Sequence, residues 1–183
     1  MLSGVTTYAE KFEDSHLRDP RYFAWLRDLE VVKYIGRDEL LRGITFPEVE
    51  AYVAGLRGLA GCTFLAVYST RERSFIGTAK ISFLAENGIR EGVADIGIMI
   101  GDRAVWGRGL ATDVLRSVSQ YAFDQLGARK LVAGAMSPNV AVIRAFEKVG
   151  YVREGSLRNQ FSMADGHCDH VFLGCFNEEL KRI

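Results

Sequence analysis

Cysteine is scarce in this chain of 183 residues, which has Cys62, Cys168 and Cys175. Three thiols cannot all pair within one molecule. So sparse a set excludes a disulfide framework and suits a reducing compartment. An excess of charge of one sign is also missing, because 23 basic and 23 acidic residues cancel. That balance argues against a general nucleic-acid or membrane-surface binder. No apolar run approaches the roughly 18 residues that a membrane span needs. Residues 1–10 lack the basic-then-apolar order of a secretory leader. These absences together give the expectation of a cytoplasmic protein that binds neither nucleic acid nor membrane. Proline is rare as well, at three residues, each reading as the start of an element.

What is present is an average globular composition, 48% hydrophobic and 25% charged. It excludes disorder and collagen-like order. A chain of this length buries about 70% of its unfolded surface, enough for one core, so residues 1–183 read as one domain.

Pro20 opens a helical spacing of apolar residues through Tyr22, Phe23, Trp25, Leu26 and Leu29. Thr45 with Glu48 forms a capping box for a helix to about Leu59. Strands are expected at 63–68, 75–84 and 93–100, with a hairpin loop at 69–74 and a polar connection at 85–92. After Gly109 the period changes. Leu110, Val114, Leu115, Val118, Ala122 and Leu126 share one helical face, and Gly127 stops it. A strand at 130–135 follows. Ser137 then caps a helix with Pro138 in its first turn and Gly150 at its end. Strands at 151–157 and 170–176 complete the chain. The order gives an α/β (α+β) fold with a mixed sheet flanked by helices, and a right-handed crossover across 93–135.

The richest stretch runs from Asp95 to Thr112, where a strand, a glycine loop and a long helix follow one another. Gly107 and Gly109 put no side chain between backbone and ligand. The first amides of the helix lack internal partners and carry its positive dipole, which suits phosphate. Residues 101–160 hold nine basic residues against five acidic ones, a local excess that suits a polyanionic small ligand. The loop is not a Walker motif, because Leu110 and Ala111 follow Gly109 where lysine and a hydroxyl residue would stand. It is not a dinucleotide fingerprint either, because no third glycine follows Leu110 and Ala111.

The stretch from Trp106 through Gly107, Arg108, Gly109 and Leu110 to Ala111 resembles the acetyl-CoA loop of the GNAT N-acetyltransferase superfamily. Trp in its first position is similar to the RimJ/RimL-like branch. Ser137, Asn139, Arg144, Phe146, Gly150 and Tyr151 follow the outline of the superfamily's second segment. The resemblance implies a largely antiparallel sheet with a V-shaped splay and acetyl-CoA as cosubstrate. It implies pantetheine on backbone groups of Ile98, Met99 and Ile100, and pyrophosphate on the amides from Gly107 to Thr112. It implies Arg103, Arg108 and Arg144 as phosphate partners and Asn139 near the thioester. It also allows a homodimer.

Acetyl transfer from a thioester to an amine needs a base for the ammonium, a donor for the oxyanion and an acid for the departing thiolate. Asp95 is the candidate base, and a backbone amide near Met99 the candidate oxyanion donor. The superfamily's usual tyrosine acid is replaced by Phe146. Ser137, Tyr151 or water are left as substitutes, or catalysis by positioning. The run His167-Cys168-Asp169-His170 invites a metal reading. Strand alternation would point these residues to opposite faces, and no second Cys/His set completes four ligands, so no metal is expected. Cys62 and Cys175 read as small core residues.

Trp25, Tyr34 and Asp169 are the candidate acceptor residues. Asp169 and His170 either face the cleft or anchor a strand. The resemblance implies a small-molecule amine, such as a nucleotide-linked amino sugar or another small amine. A ribosomal or other protein N-terminus is the alternative acceptor, and a CoA-binding module without turnover the alternative class.

Overall fold

The computed structural model of the chain describes residues 2–85, 87 and 90–182. Two strands that the sequence pattern does not announce come first: β1 (Leu2–Ser3) and β2 (Thr7–Lys11). Five helices follow: α1 (Asp14–Leu17), α2 (Pro20–Leu26), α3 (Leu29–Val32), α4 (Asp38–Leu41) and α5 (Phe46–Gly58). Then come β3 (Cys62–Ser69), β4 (Ser74–Phe83), β5 (Val93–Ile100), α6 (Leu110–Asp124), β6 (Lys130–Met136), α7 (Val140–Val149), β7 (Val152–Met163) and β8 (Gly166–Cys175). None of the described helices is long and apolar enough to cross a membrane.

The eight strands form one sheet in the order β1-β2-β3-β4-β5-β6-β8-β7. Every neighbouring pair is antiparallel except β5 and β6. Alternation along each strand divides the apolar residues between two faces. On one face Leu65, Val67, Ile76, Ile81, Ala94, Ile96, Leu131 and Leu173 pack with α6 and α7. On the other, Phe64, Ala66, Tyr68, Phe75 and Met99 pack with Tyr22, Trp25, Leu26, Val49 and Val53 of α2 and α5.

Three local expectations change. The helix opened by Pro20 ends at Leu26. Asp28 then accepts a hydrogen bond from Glu30 N at 2.9 Å and starts a second short helix. That leaves Leu29 exposed rather than in the apolar stripe. Asn139, not Ser137, caps α7, its side chain accepting from Val142 N, so Pro138 precedes the helix. β7 and β8 extend well past their expected ends to meet at Met163 and Gly166. Most of β7 is solvent-exposed, so it carries no apolar alternation to announce it. The capping box of Thr45 and Glu48 is present. The connection expected at 85–92 lies partly outside the described residues, at 86, 88 and 89.

Candidate active site

The parallel pairing of β5 and β6 runs only from Val93↔Lys130 to Asp95↔Val132. Both strands continue beyond it, to Ile100 and Met136. The sheet therefore splits into a V whose apex is Asp95. On its other edge β5 stays paired with β4 to Gly77↔Ile100. Leu84 N donates to Val93 O at one end of that ladder and Gly101 N to Ile76 O at the other. Antiparallel alternation between these ends turns Met99 toward Thr78 of β4. The backbone groups of Ile98 and Ile100 then face the gap. Met99, expected as a pantetheine and oxyanion partner, is thus corrected. Its amide is used inside the sheet, and the Ile98 N–H faces the gap. The Ile100 carbonyl is already taken by the indole N–H of Trp106 at 2.8 Å. That bond pins the glycine loop to the end of β5.

The loop itself has the form its glycines suggest. Gly107 and Gly109 sit at φ +77° and +81°, where an L side chain strains the backbone. Gly109 is the N-cap of α6 and supplies no capping side chain. The carbonyl of Gly109 receives its helical bond from Asp113 N at 3.2 Å. The amides of Leu110, Ala111 and Thr112 therefore have no partner within the helix. Such a cradle fits a pyrophosphate. Arg108 lies beside it but is paired with Glu72 at 2.9 Å. Arg103 is paired with Asp28 at 3.3 Å and stacks over Trp106. Arg144 is exposed on α7. Asn139 uses its side-chain oxygen for the cap, which keeps its NH2 available as a donor.

Asp113 was missed as a structural residue. Its buried carboxylate accepts from Val5 N, Thr6 N and Thr7 N and from both threonine hydroxyls, at 2.8–3.2 Å. Burial pushes its pKa up, and these bonds outweigh burial to leave it below the ordinary carboxylate value. Asp113 thereby ties the turn between β1 and β2 to the start of α6. A buried acid in a first helical turn beside glycines was the available signal.

On the opposite face, the V opens into a cavity of about 400 Å³. It is lined by Tyr34, Ile35 and Gly36 from the segment between α3 and α4, by Asp95, by β6 from Val132 to Met136, and by Phe161, His170 and Phe172. Asp95 sits at the apex and pairs with Lys80 at 3.4 Å, each about one-third exposed. Tyr34 is brought into the cavity as expected from the sequence. Trp25 is not. It is buried over Gly101, where any Cβ would strike its ring, and packs on Phe75 at 5.0 Å. Asp169 is not either. Its carboxylate accepts from Asn159 N at 3.0 Å and holds the bulge of β7, where Leu157 and Phe161 oppose His170 and Cys168. The neighbouring His170 occupies the cavity instead.

The substitutes for an acid also separate. Tyr151 is buried, bonded to Ser119 at 2.8 Å and packed on Phe146. Burial drives its phenol far up, with the Ser119 bond pulling back, which makes it a poor proton donor. Phe146 is core. Ser137 Oγ accepts from Asp169 N at 3.1 Å and retains its own proton to donate. Among the described residues no group of His, Cys, Asp and Glu is placed to hold a metal ion.

Comparison with known proteins agrees with this geometry. A model for an acetyltransferase (GNAT) domain matches residues 11–152. A probable N-acetyltransferase of Bacillus subtilis, YjcK, is 28% identical over 113 residues, 62% of this chain. The match spans 61% of that relative's length. Among solved structures, spermidine N-acetyltransferase from Vibrio cholerae, in complex with CoA and spermine, superposes with a TM-score of 0.82 at 17% identity, covering 95% of this chain and 97% of that one. The structure of AAC(6')-Ib in complex with ribostamycin and coenzyme A gives a TM-score of 0.76 at 20% identity, covering 95% of each chain. With its splayed sheet, glycine loop and family match over more than half its length, the chain belongs to the GNAT acetyltransferase family.

Proposed function

We propose that this protein transfers the acetyl group of acetyl-CoA to the primary amine of a small molecule. The observation that carries the reading is the V at Asp95. A backbone cradle for pyrophosphate lies on one side of it and a half-open cavity for an amine on the other. Acetyl-CoA supplies an activated acyl group when bound. The chain holds its phosphates on the amides from Gly107 to Thr112, with Arg108 and Arg103 exchanging their carboxylate partners for phosphate. Ile98 N–H offers a donor for the developing oxyanion. Asp95 attracts the cationic amine, and Ser137 is the acid candidate for the leaving thiolate.

The cavity lining favours a small amine with an apolar body over an amino sugar linked to a nucleotide. Most of its side chains are apolar, and Asp95, Tyr34 and His170 supply its polar groups. A sugar nucleotide would bring many hydroxyls with too few partners. A protein N-terminus in the RimJ/RimL manner and a CoA-binding module without turnover are the competing readings.

The test combines a thermal melt with an acceptor screen. Acetyl-CoA and CoA should each raise the melting midpoint by several degrees at about 100 times Kd, and ATP should not. Thiol release should then accompany one or more small apolar amines. No shift with either CoA species would end the proposal. A shift without turnover across amines and peptide N-termini would select the binding module.

A further inference from the structure

We infer that His170 is the catalytic base that takes the proton of the bound ammonium, with Asp95 and Lys80 setting the charge around it. This rests on the acetyl-transfer reading above and deepens it.

Two of the chain's histidines make the point by contrast. His16 is buried with both ring nitrogens engaged, Nδ1 accepting from Glu13 N at 2.8 Å and Nε2 bonded to Tyr68 OH at 2.7 Å. It is a satisfied structural residue. His170 makes no hydrogen bond from either ring nitrogen to any described residue, yet its ring is held firmly. Phe161 and Phe172 pack against it with centroids at 5.0 and 4.2 Å. Its Nε2 lies on the bare backbone of Gly134, where any side chain would collide with it. A histidine fixed by aromatic contacts, with its nitrogens unpartnered inside a cavity, is arranged to exchange a proton rather than to support a fold.

The charges around it fit that task. On the elements packed against His170, the titratable groups are Asp95 on β5 with Lys80 on β4 behind it, and Tyr34 beside α3. Cys168, on the same face of β8, is buried. β6 and β7 offer it Gly134, Met136 and Phe161, none of which titrates. The Asp169 carboxylate is turned to Asn159 and Ser156. Asp95 is partly balanced by Lys80 at 3.4 Å, and His170 is the base with an open nitrogen. Burial lowers its pKa below the ordinary 6.5, with Asp95 pulling the other way, so the ring is neutral at pH 7 and ready to accept.

The protons balance as follows. His170 takes one proton from the ammonium, and the nitrogen lone pair then forms the C–N bond to the acetyl carbonyl carbon. The C–S bond breaks with its electron pair on sulfur. The second nitrogen proton replaces the one that the Ser137 hydroxyl gives to that thiolate, and His170 returns the first to solvent through the mouth of the cavity.

The test uses the full chain and His170→Gln with the best amine from the acceptor screen. In the wild type, kcat/KM should rise with pH along a limb set below 6.5. In His170→Gln it should fall by about 100-fold at pH 7. The limb should also move toward the free amine's own pKa, about 10, because the amine must now arrive already neutral. A second readout needs no turnover. In the protein without acetyl-CoA, the imidazole resonance lost in His170→Gln should titrate below pH 6.5. Retained thermal response to CoA checks that the variant is folded. A limb unmoved in the variant, or an imidazole titrating above 6.5, overturns the inference while leaving acetyl transfer standing. Failure of the wild type to acetylate any amine overturns both.

Discussion

The two sides of the splayed sheet are built by different means. The proposed cofactor side is a short contiguous run, Trp106 to Thr112, that offers backbone groups. Two glycines at positive φ and three helical amides form it. The proposed acceptor side collects single side chains from the α3–α4 segment, β5, β6, β7 and β8. Backbone chemistry at fixed spacing leaves a mark in the sequence. A cavity of side chains drawn from five segments does not. Substitutions on one side should therefore leave the other side's binding untouched, which can be checked in four ways.

The largest effect is expected where the framework beneath the cofactor side is tied. Asp113→Ala leaves three amides and two hydroxyls without their acceptor. It should cost about 3–5 kcal/mol and lower the melting midpoint by ~10 °C. Its folded pKa lies below the unfolded one. Its stabilisation is therefore complete above about pH 4 and lost as pH falls through the folded value. Acid melts of the wild type should accordingly be steeper than those of Asp113→Asn.

Gly109→Ala comes next. Placing a Cβ at φ +81° costs about 1–2 kcal/mol. Calorimetry should show acetyl-CoA bound about tenfold more weakly, with the amine KM unchanged. Phe161→Ala is the mirror experiment. Losing the ring against His170 should raise the KM of an apolar amine by about tenfold, with the CoA affinity unchanged. Equal losses of both ligands in either variant would break the comparison. The smallest effect is expected for Trp106→Phe, which removes the hydrogen bond to Ile100 O. About 0.5–1.5 kcal/mol should appear as a few-fold change in CoA affinity alone.

The element pattern was legible wherever burial imposed a period. Leu110, Val114, Leu115, Val118 and Ala122 are all buried on α6 as their spacing requires. The hairpin of β3 and β4 and the parallel step from β5 to β6 follow the same logic. The outer part of β7, from 158 to 163, escaped notice because it is largely exposed, and β2 because five residues between other signals make a weak period. Among the site residues, Tyr34 and Asp95 reach the cavity, while Trp25 and Asp169 are turned to structure. A tryptophan in an amphipathic helix reads the same whether it faces a core or a cleft. Asp169 and His170 are adjacent, so the pleat sends them to opposite faces. Only the register Met136↔His170 decides that the histidine takes the cleft.

The sequence alone determined the α/β class, the glycine loop and the helix that follows it, because turn chemistry and periodicity are local. Tertiary structure decided where the V begins, which backbone groups face into it, and that His170, Phe161 and Tyr34 share one cavity. Those facts depend on strand register across 136 residues of chain, from Tyr34 to His170, and no local propensity encodes register at that distance.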